Sequence, residues 1–241
     1  MNFVVKGLGM IGTSVGLALA GKGRRLGYDP NPEHAARALQ LGAVDGLASP
    51  EDEKGAVVFL CGPPSAILAE AQRRDSEADL ILDVASVKAP IVAAAAQGRL
   101  PFVGGHPLAG CELQGPDAGR ADMFVGRPFF LVPVVGREAL VLRAEGLVRL
   151  LGAVPYRIEA EEHDRLLALT SHLPYLLARA LRTLTEAVGE EAKGPAFESL
   201  TRPGRSPWSL WKEILELNRD PVRQAWEALV REVEGKLGAS D

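Results

Sequence analysis

A glycine-rich loop close to the N-terminus constrains the fold more than any other feature of the sequence. Residues 7–12 read GLGMIG, the pattern G-x-G-x-x-G, between a predicted strand, Asn2–Lys6, and a predicted helix, Met10–Ala20. In this context the first glycine allows a tight turn, the second lets the backbone approach a pyrophosphate, and the third lets helix pack on strand. The N–H groups and dipole of the helix N-terminus favour an anion. The predicted phosphate-binding residues are Gly7, Leu8, Gly9, Met10, Ile11 and Gly12.

Asp29 stands where a dinucleotide-binding strand presents an acidic side chain. A second predicted strand, Arg25–Tyr28, ends immediately before it. The position is about 20 residues beyond the loop, where a carboxylate accepts the ribose hydroxyls of the adenosine half. A carboxylate there repels a 2′-phosphate, so the sequence predicts NAD as cofactor in preference to NADP. The alternative interpretation is a glycine-rich turn followed by a helix-capping aspartate.

Short β-rich runs alternate with helix-like segments up to about residue 158. Ala56–Cys61 and Asp79–Val84 are continuous apolar runs, as expected of strands that are buried on both faces. This alternation predicts a mostly parallel sheet with helices on both faces. The other elements predicted in this part are the helices Pro32–Leu41 and Glu138–Leu151 and the strands Pro101–Gly105, Pro128–Val135 and Ala153–Ile158.

The pattern changes near residue 159. Beyond it we find almost no strand signal, and helices are predicted over Glu161–Val188, Trp208–Leu217 and Pro221–Leu237. We therefore predict an α/β protein of two domains. Residues 1–158 form an N-terminal Rossmann-type dinucleotide-binding domain, and residues 159–241 form an all-helical C-terminal dimerisation domain.

The expectation of a homodimer comes from the first of those helices. Its apolar residues spread almost all round the helix instead of along one stripe, and they are Leu166, Leu167, Leu169, Leu173, Leu176, Leu177, Leu181, Leu184 and Val188. A helix that is apolar all round is buried on every side. Roughly 80 residues are too few to bury it and to cover their own loops. A second copy packed about a twofold axis is the commonest solution.

Composition excludes several classes of protein. The 241 residues carry 27 basic and 31 acidic side chains, a net charge of −4 that argues against a general nucleic-acid binder. No apolar run approaches the roughly 18–20 residues of a membrane span. The N-terminus enters a strand directly and lacks signal-peptide features, so we expect a cytoplasmic protein. The two cysteines, Cys61 and Cys111, and the four histidines lack metal-ligand spacing, so no metal site is predicted.

Three successive predicted strands end in small or polar residues. Pro63 follows the first, Ser86 the second and His106 the third. In open α/β sheets ligands bind at the carboxyl ends of the strands, so Ser86 and His106 are expected to face the nicotinamide end of a bound cofactor. Oxidation of an alcohol requires a group that takes the hydroxyl proton, and an imidazole does this near neutral pH. The alternative for His106 is a hydrogen-bonded histidine in a turn, without a catalytic role.

Several segments together resemble one enzyme family. DVASVK, GGHPLAGCELQG and SHLPYLLARAL, with GLGMIG and the later FESLTRP, resemble the prephenate/arogenate dehydrogenases of tyrosine biosynthesis. The resemblance implies that His106 is the catalytic hydrogen-bond acceptor and that Ser86 contacts the same substrate hydroxyl. It also implies that His172 lies in the substrate pocket, that Arg202 anchors a substrate carboxylate, and that Trp211 helps to close the pocket. The family dimerises through its helical domain.

Departures from the family pattern leave two alternatives open. In PGRSPWSLW, Pro207 stands where family members more often have Asp, so Trp208 competes with Trp211 for the pocket role. Arg205 competes with Arg202 as the carboxylate anchor, because either guanidinium can bind a carboxylate bidentately. Cys111 stands where we expect Thr.

The resemblance implies NAD-dependent oxidative decarboxylation of prephenate to 4-hydroxyphenylpyruvate. Arogenate is the alternative substrate within the family. Another small β-hydroxyacid dehydrogenase is a further alternative, but such enzymes usually rely on a lysine in the helical domain, and Lys193 has no fitting motif around it. A redox-sensing NAD-binding regulator would leave His106, Ser86 and Arg202 unexplained.

Overall fold

A computed structural model describes residues 1–110 and 113–238, so that Cys111 and the last three residues of the predicted helical domain lie outside the described residues. The chain divides into two compact units, Met1–Ala160 and Glu161–Asp241. No helix in the described ranges is both long and apolar enough to cross a membrane.

The first unit is built on one eight-stranded sheet in the order β3-β2-β1-β4-β5-β6-β7-β8. All neighbouring strands are parallel except β6 and β7, which are antiparallel. This arrangement confirms the predicted mostly parallel sheet. The strands are β1 Asn2–Lys6, β2 Arg24–Tyr28, β3 Gly46–Leu47, β4 Val57–Leu60, β5 Leu80–Asp83, β6 Phe102–Pro107, β7 Pro128–Val132 and β8 Val154–Arg157.

Five helices cover the two faces of the sheet. Along β4, Val57 and Phe59 face one core while Val58 and Leu60 face the other, as the two-residue period of a strand requires. The first core packs against α1, α2 and α5, and the second packs against α3 and α4. The helices are α1 Met10–Ala18, α2 Pro32–Gln40, α3 Pro64–Ala71, α4 Ala89–Ala96 and α5 Glu138–Leu150, with 3-10 turns at Pro50–Glu53 and Pro116–Ala118.

The described residues of the second unit form helices joined by short turns. The predicted helix Glu161–Val188 is interrupted: α6 ends at Leu167, a π-helical segment covers Ala168–His172, and the chain resumes as α7. Pro174 explains this interruption because it has no N–H to donate to the carbonyl of Thr170. The helices are α6 Ala160–Leu167, α7 Leu173–Leu184, α8 Pro195–Thr201, α9 Trp208–Leu217 and α10 Arg219–Gly238, with 3-10 turns at Glu190–Ala192 and Arg202–Arg205.

Candidate active site

The glycine loop has a shape that protein packing explains only in part. Gly7 has a φ of +95°, and a Cβ there would lie 2.6 Å from the carbonyl carbon of Cys61. A Cβ on Gly12 would lie 1.8 Å from the carbonyl oxygen of Gly7. A Cβ on Gly9, in contrast, would meet no described atom within 4 Å. The first and third glycines are therefore required by the fold, whereas the second leaves space for a ligand that approaches the backbone.

The start of α1 suits an anionic ligand. Gly9 is the N-cap residue and offers no side chain to the helix N-terminus, and the first turn of α1 has no acidic residue. Backbone N–H groups and the helix dipole therefore face the space beside Gly9 without a competing carboxylate from that turn. These residues fit a diphosphate.

Asp29 is fixed at the end of β2 by backbone donors. Its Oδ2 accepts the N–H of Leu8 at 2.6 Å, and its Oδ1 accepts the N–H of Asn31 at 2.8 Å. His34 lies farther away, with Nδ1 3.8 Å from Oδ1. A carboxylate has about four lone-pair sites, so these two bonds orient the group and leave acceptor capacity for ribose hydroxyls.

The loops after the neighbouring strands lie at the same edge of the sheet. Pro63 is the exposed N-cap residue of α3, and Ser86 lies half-buried in the loop between β5 and α4. The loop that follows β6 approaches the start of α1, because a Cβ on Gly110 would lie 3.2 Å from Cε of Met10. The first unit thus brings its predicted site segments to one edge.

The position of His106 corrects one prediction. The sequence places His106 beyond a strand that ends at Gly105, whereas β6 continues through Pro107 and pairs His106 with Phe130 of β7. The strand continues because β7 supplies a new antiparallel partner after β6 separates from β5. His106 is consequently buried in a paired strand, with 8% of its surface exposed.

A buried ion pair holds the residue next to His106. Pairing between β5 and β6 ends at Leu82 and Val103. Beyond that point the Asp83 carboxylate replaces the missing strand partner, since its Oδ1 accepts the N–H of Gly105 at 2.8 Å. Lys88 donates to Asp83 Oδ2 and, at 2.6 Å, to the carbonyl oxygen of Gly105. The backbone N–H and the carbonyl oxygen of Gly105 therefore both have hydrogen-bond partners in the Asp83–Lys88 ion pair.

The same pair also shapes the loop that carries Ser86. Asp83 Oδ2 accepts the N–H of Ala85 at 3.0 Å, and the side chains of Asp83 and Lys88 are both fully buried. One carboxylate is thus bonded to the residues that immediately precede Ser86 and His106. Cys61 lies in the loop after β4. Burial raises the pKa of its thiol far above the ordinary value, and the negative charge of Asp83 contributes a smaller shift in the same direction.

In the helical unit an aromatic cluster surrounds His172. The fully buried imidazole meets Trp211 edge-on, with ring centroids 6.0 Å apart. Tyr175 stacks on the same indole at 3.9 Å and donates its hydroxyl to the carbonyl oxygen of Ser206 at 3.1 Å. Burial raises the pKa of Tyr175, and the nearby Arg179 opposes that shift without cancelling it.

The two tryptophans that compete for the pocket role have different surroundings, and so do the two arginines that compete as carboxylate anchor. Trp211 contacts His172, whereas Trp208 lies against Arg179, whose guanidinium carbon is 5.3 Å from the ring centroid. Arg205 forms a 2.5 Å ion pair with Glu198. Arg202 is exposed in the 3-10 turn that follows α8. The choice between Arg202 and Arg205 as the carboxylate anchor stays a prediction.

Family comparisons cover both units. The nucleotide-binding domain model of prephenate dehydrogenase matches residues 15–154, and the dimerization domain model of prephenate dehydrogenase matches residues 159–236. The chain belongs to the prephenate dehydrogenase family. The glycine loop lies before the first matched residue, so it is evidence separate from the family match. The family predicted from the sequence motifs is confirmed.

Named members of the prephenate dehydrogenase family align with most of this chain. A probable prephenate dehydrogenase, NovF, from Streptomyces niveus is 36% identical in an alignment of 246 positions that covers 97% of this chain and 67% of that protein. The prephenate dehydrogenase of Bacillus subtilis is 31% identical in an alignment of 257 positions that covers 97% of this chain and 68% of that protein. The crystal structure of the A. aeolicus prephenate dehydrogenase with hydroxyphenyl propionate and NAD+ matches with a TM-score of 0.88 and 26% identity, covering 98% of this chain and 88% of that one.

Four residues of interest were missed by sequence reasoning. Asp83 and Lys88 lie within the quoted DVASVK segment, and Tyr175 lies within SHLPYLLARAL, so the motifs contained them without indicating their contacts. Asn218 follows α9 and forms a buried contact with His172. An isolated asparagine at a helix end is indistinguishable in sequence from an ordinary cap.

Proposed function

We propose that this chain is an NAD-dependent prephenate dehydrogenase that converts prephenate to 4-hydroxyphenylpyruvate and CO2. The family match across both units carries the proposal, because it joins a nucleotide-binding domain to the domain with which this family dimerises. The space beside Gly9 and the fixed carboxylate of Asp29 support NAD as the cofactor.

When bound, NAD supplies the acceptor for the hydride that leaves the ring carbon bearing the hydroxyl group. His106 accepts the proton of that hydroxyl as the C–H bond breaks, which turns the alcohol carbon into a carbonyl. Ser86 hydrogen-bonds the same oxygen and orients it toward the imidazole. The Gly105 peptide, held by Asp83 and Lys88, keeps His106 in register during this transfer.

Loss of the ring carboxylate completes the reaction. The electrons of the bond to CO2 flow into the ring and onto the new carbonyl oxygen, which becomes the phenolate of an aromatic product. The imidazolium of His106 returns its proton to that oxygen and regenerates the neutral base. Aromatisation drives the decarboxylation, so the proposed mechanism gives no residue the role of a Lewis acid.

Residues of the helical unit would bind the substrate. Prephenate is a dianion, and a chain of net charge −4 needs a local cation to hold it. Arg202 is the proposed anchor for a carboxylate, with His172 and Trp211 in the same pocket. The family's dimerization domain spans residues 159–236, and we propose that the chain forms a homodimer through it. Several apolar side chains of this unit are exposed, among them Leu169 and Leu184.

The decisive experiment follows NADH absorbance with NAD and prephenate. Turnover with prephenate supports the proposal, and turnover with arogenate alone identifies the alternative substrate. NAD binding without turnover of either compound indicates a regulator. His106→Asn should lower kcat by about 10²–10⁴, the usual contribution of a general base, with NAD affinity nearly unchanged. A variant with the wild-type kcat would remove His106 from the mechanism.

The dimer requires a separate measurement. Light scattering should give a mass near twice the 25.6 kDa of one chain. A fully active monomer at micromolar concentration would contradict the proposed assembly.

A further inference from the structure

His172 and Asn218 form a buried polar contact inside the helical unit. His172 is the last residue of the π-helical segment, and Asn218 is the residue at which α9 ends. Both are almost completely buried. Nδ2 of Asn218 lies 2.9 Å from Nδ1 of His172 and 2.8 Å from the backbone carbonyl oxygen of Asp164 on α6.

The carbonyl of Asp164 determines the orientation of the Asn218 amide. A carbonyl oxygen only accepts hydrogen bonds, so the amide atom that faces it is the NH2 group and not the amide oxygen. The NH2 group has two hydrogens. One is donated to Asp164, and the other is donated to Nδ1 of His172.

This contact determines where the imidazole carries its hydrogen. A ring nitrogen that accepts a hydrogen bond must present its lone pair, so Nδ1 of His172 is unprotonated. In the neutral ring the hydrogen then lies on Nε2. Trp211 meets the ring edge-on and limits its rotation.

We propose that Asn218 is a positioning residue that holds His172 in the neutral Nε2–H tautomer and makes the imidazole a hydrogen-bond donor. The substrate part of this inference rests on the proposed function: Nε2–H donates to an acceptor oxygen of the prephenate dianion. Asn218 does not touch substrate in this role, because it acts on the opposite nitrogen of the ring.

Charged and titratable groups lie on the helices that neighbour this contact. On α6, the buried His163 places Nδ1 2.8 Å from Oδ1 of Asp164. On α7, Tyr175 shares the indole of Trp211 with His172. On α10, the first residues, Arg219 and Asp220, are exposed. Asp164 therefore serves the two histidines through different atoms, its carboxylate toward His163 and its backbone oxygen toward Asn218.

The test reads the tautomer directly, by two-bond ¹H–¹⁵N correlation spectra of the full-length protein labelled with ¹⁵N-histidine. The chain has four histidines, and the His172 signal is identified by its loss in His172→Gln. In the wild type at neutral pH we expect the hydrogen on Nε2. Asn218→Asp should transfer a hydrogen to Nδ1, because a carboxylate can only accept there. Asn218→Leu, of similar volume, should allow Nδ1–H to be populated.

Asp164→Asn is the matched control. It keeps the backbone oxygen that orients Asn218 and changes only the side chain, so the His172 tautomer should stay on Nε2 while the His163 signal changes. A wild-type hydrogen on Nδ1 of His172 overturns the proposal, and so does an Nε2–H tautomer that stays as in the wild type in both Asn218 variants. If Asn218→Leu fails to fold, the wild-type and Asn218→Asp spectra still test whether Asn218 sets the tautomer of His172.

Kinetics separates this proposal from the proposed function. If prephenate is the substrate, Asn218→Leu should raise KM by roughly 3- to 10-fold, the worth of one net hydrogen bond, with a smaller change in kcat. The spectra are recorded without substrate, so the tautomer result holds even if prephenate is not turned over. An unchanged KM with a changed tautomer would refute the contact between His172 and the substrate, and leave the role of Asn218 intact.

Discussion

Replacing Lys88 with methionine tests whether the buried ion pair supports catalysis through the Gly105 peptide. Methionine keeps most of the length of the lysine side chain and removes the charge. In the variant the Asp83 carboxylate keeps its hydrogen bonds from the N–H groups of Gly105 and Ala85 but loses the positive charge of Lys88, its only described cation. The carbonyl oxygen of Gly105 loses the hydrogen bond that Nζ of Lys88 donates in the wild type, at 2.6 Å.

The expected loss of stability follows from the burial of both partners. Removing one partner of a buried pair leaves an uncompensated charge in a medium of low dielectric constant, which typically costs about 3–5 kcal/mol. The pair is fully buried, so solvent screening does not reduce this figure. A domain with about 5–15 kcal/mol of stability should remain folded but become much less stable. A shift of about 1 Å in His106 should in addition lower kcat by up to about 100-fold.

Lys54→Met is the matched control. Lys54 forms a 3.0 Å ion pair with Glu77, but both side chains are more than 70% exposed. The same substitution there removes an exposed pair that contributes about 0–1 kcal/mol, and it should leave kcat unchanged. Comparison of Lys88 with Lys54 therefore separates burial from the loss of one positive charge.

The assay must report on the sheet-containing unit. All three tryptophans, Trp208, Trp211 and Trp226, belong to the helical unit, so indole fluorescence does not follow unfolding of the sheet. Urea unfolding measured by far-UV circular dichroism, with fluorescence recorded in parallel, distinguishes the two units. If Lys88→Met loses no more stability than Lys54→Met and keeps the wild-type kcat, the argument that the pair holds the Gly105 peptide is refuted.

Three further predictions concern the cofactor, the substrate and the dependence of stability on pH. Asp29→Ser should narrow the preference for NAD over NADP, as measured by kcat/KM for each cofactor; equal use of both by the wild type would contradict the assignment. Arg202→Gln should mainly raise KM for prephenate by roughly 10- to 150-fold, since a charged hydrogen bond contributes about 1.5–3 kcal/mol; the same effect in Arg205→Gln alone would reverse the choice of anchor. Burial acts to raise the pKa of Glu70, but its ion pairs with Lys6 and Arg73 outweigh burial and hold that pKa below its ordinary value. Its stabilisation is therefore present above the unfolded pKa and lost as pH falls through the lower folded pKa, so Glu70→Gln should cost about 1 kcal/mol at pH 7 and progressively less as the pH is lowered through that range, as measured by urea unfolding at each pH.

The parts of the fold that sequence predicts well are those encoded locally. The glycine loop, the strand before it and the helix after it are specified by adjacent residues, and β1 has the bounds that were predicted, Asn2–Lys6. Pro174 indicated a break in the first long helix of the second unit, and the π-helical segment Ala168–His172 lies just before it. In each case one residue type restricts its own backbone or the preceding turn.

Features that depend on distant partners were not predictable from one sequence. The direction of β7 is set by how a connection of about 20 residues returns the chain beside β6, and the pattern Pro128–Val132 is equally compatible with either direction. β3 has only two residues and owes its existence to pairing with β2. A strand of that length has no detectable period.

The buried charges escaped prediction for a related reason. Asp83 and Lys88 lie five residues apart at the end of an apolar run, where charged residues are usually exposed. Only the geometry shows that both are buried and that their partner is a glycine in another strand. The glycine itself is required there, because a Cβ on Gly105 would lie 2.3 Å from the carbonyl oxygen of Asp83.

The two candidate histidines, one in each unit, are supported in ways that suit different roles. A general base must gain and lose a proton in each turnover, so a contact that fixes one protonation state of its ring would slow it. The ion pair of Asp83 and Lys88 acts on the chain before His106, through the Gly105 peptide, and sets position without fixing a proton on the ring. A hydrogen-bond donor has the opposite requirement, because it must keep its hydrogen on one nitrogen. The amide of Asn218 acts on Nδ1 of His172 itself and meets that requirement with a neutral group, which favours a proton-transfer role for His106 and a binding role for His172.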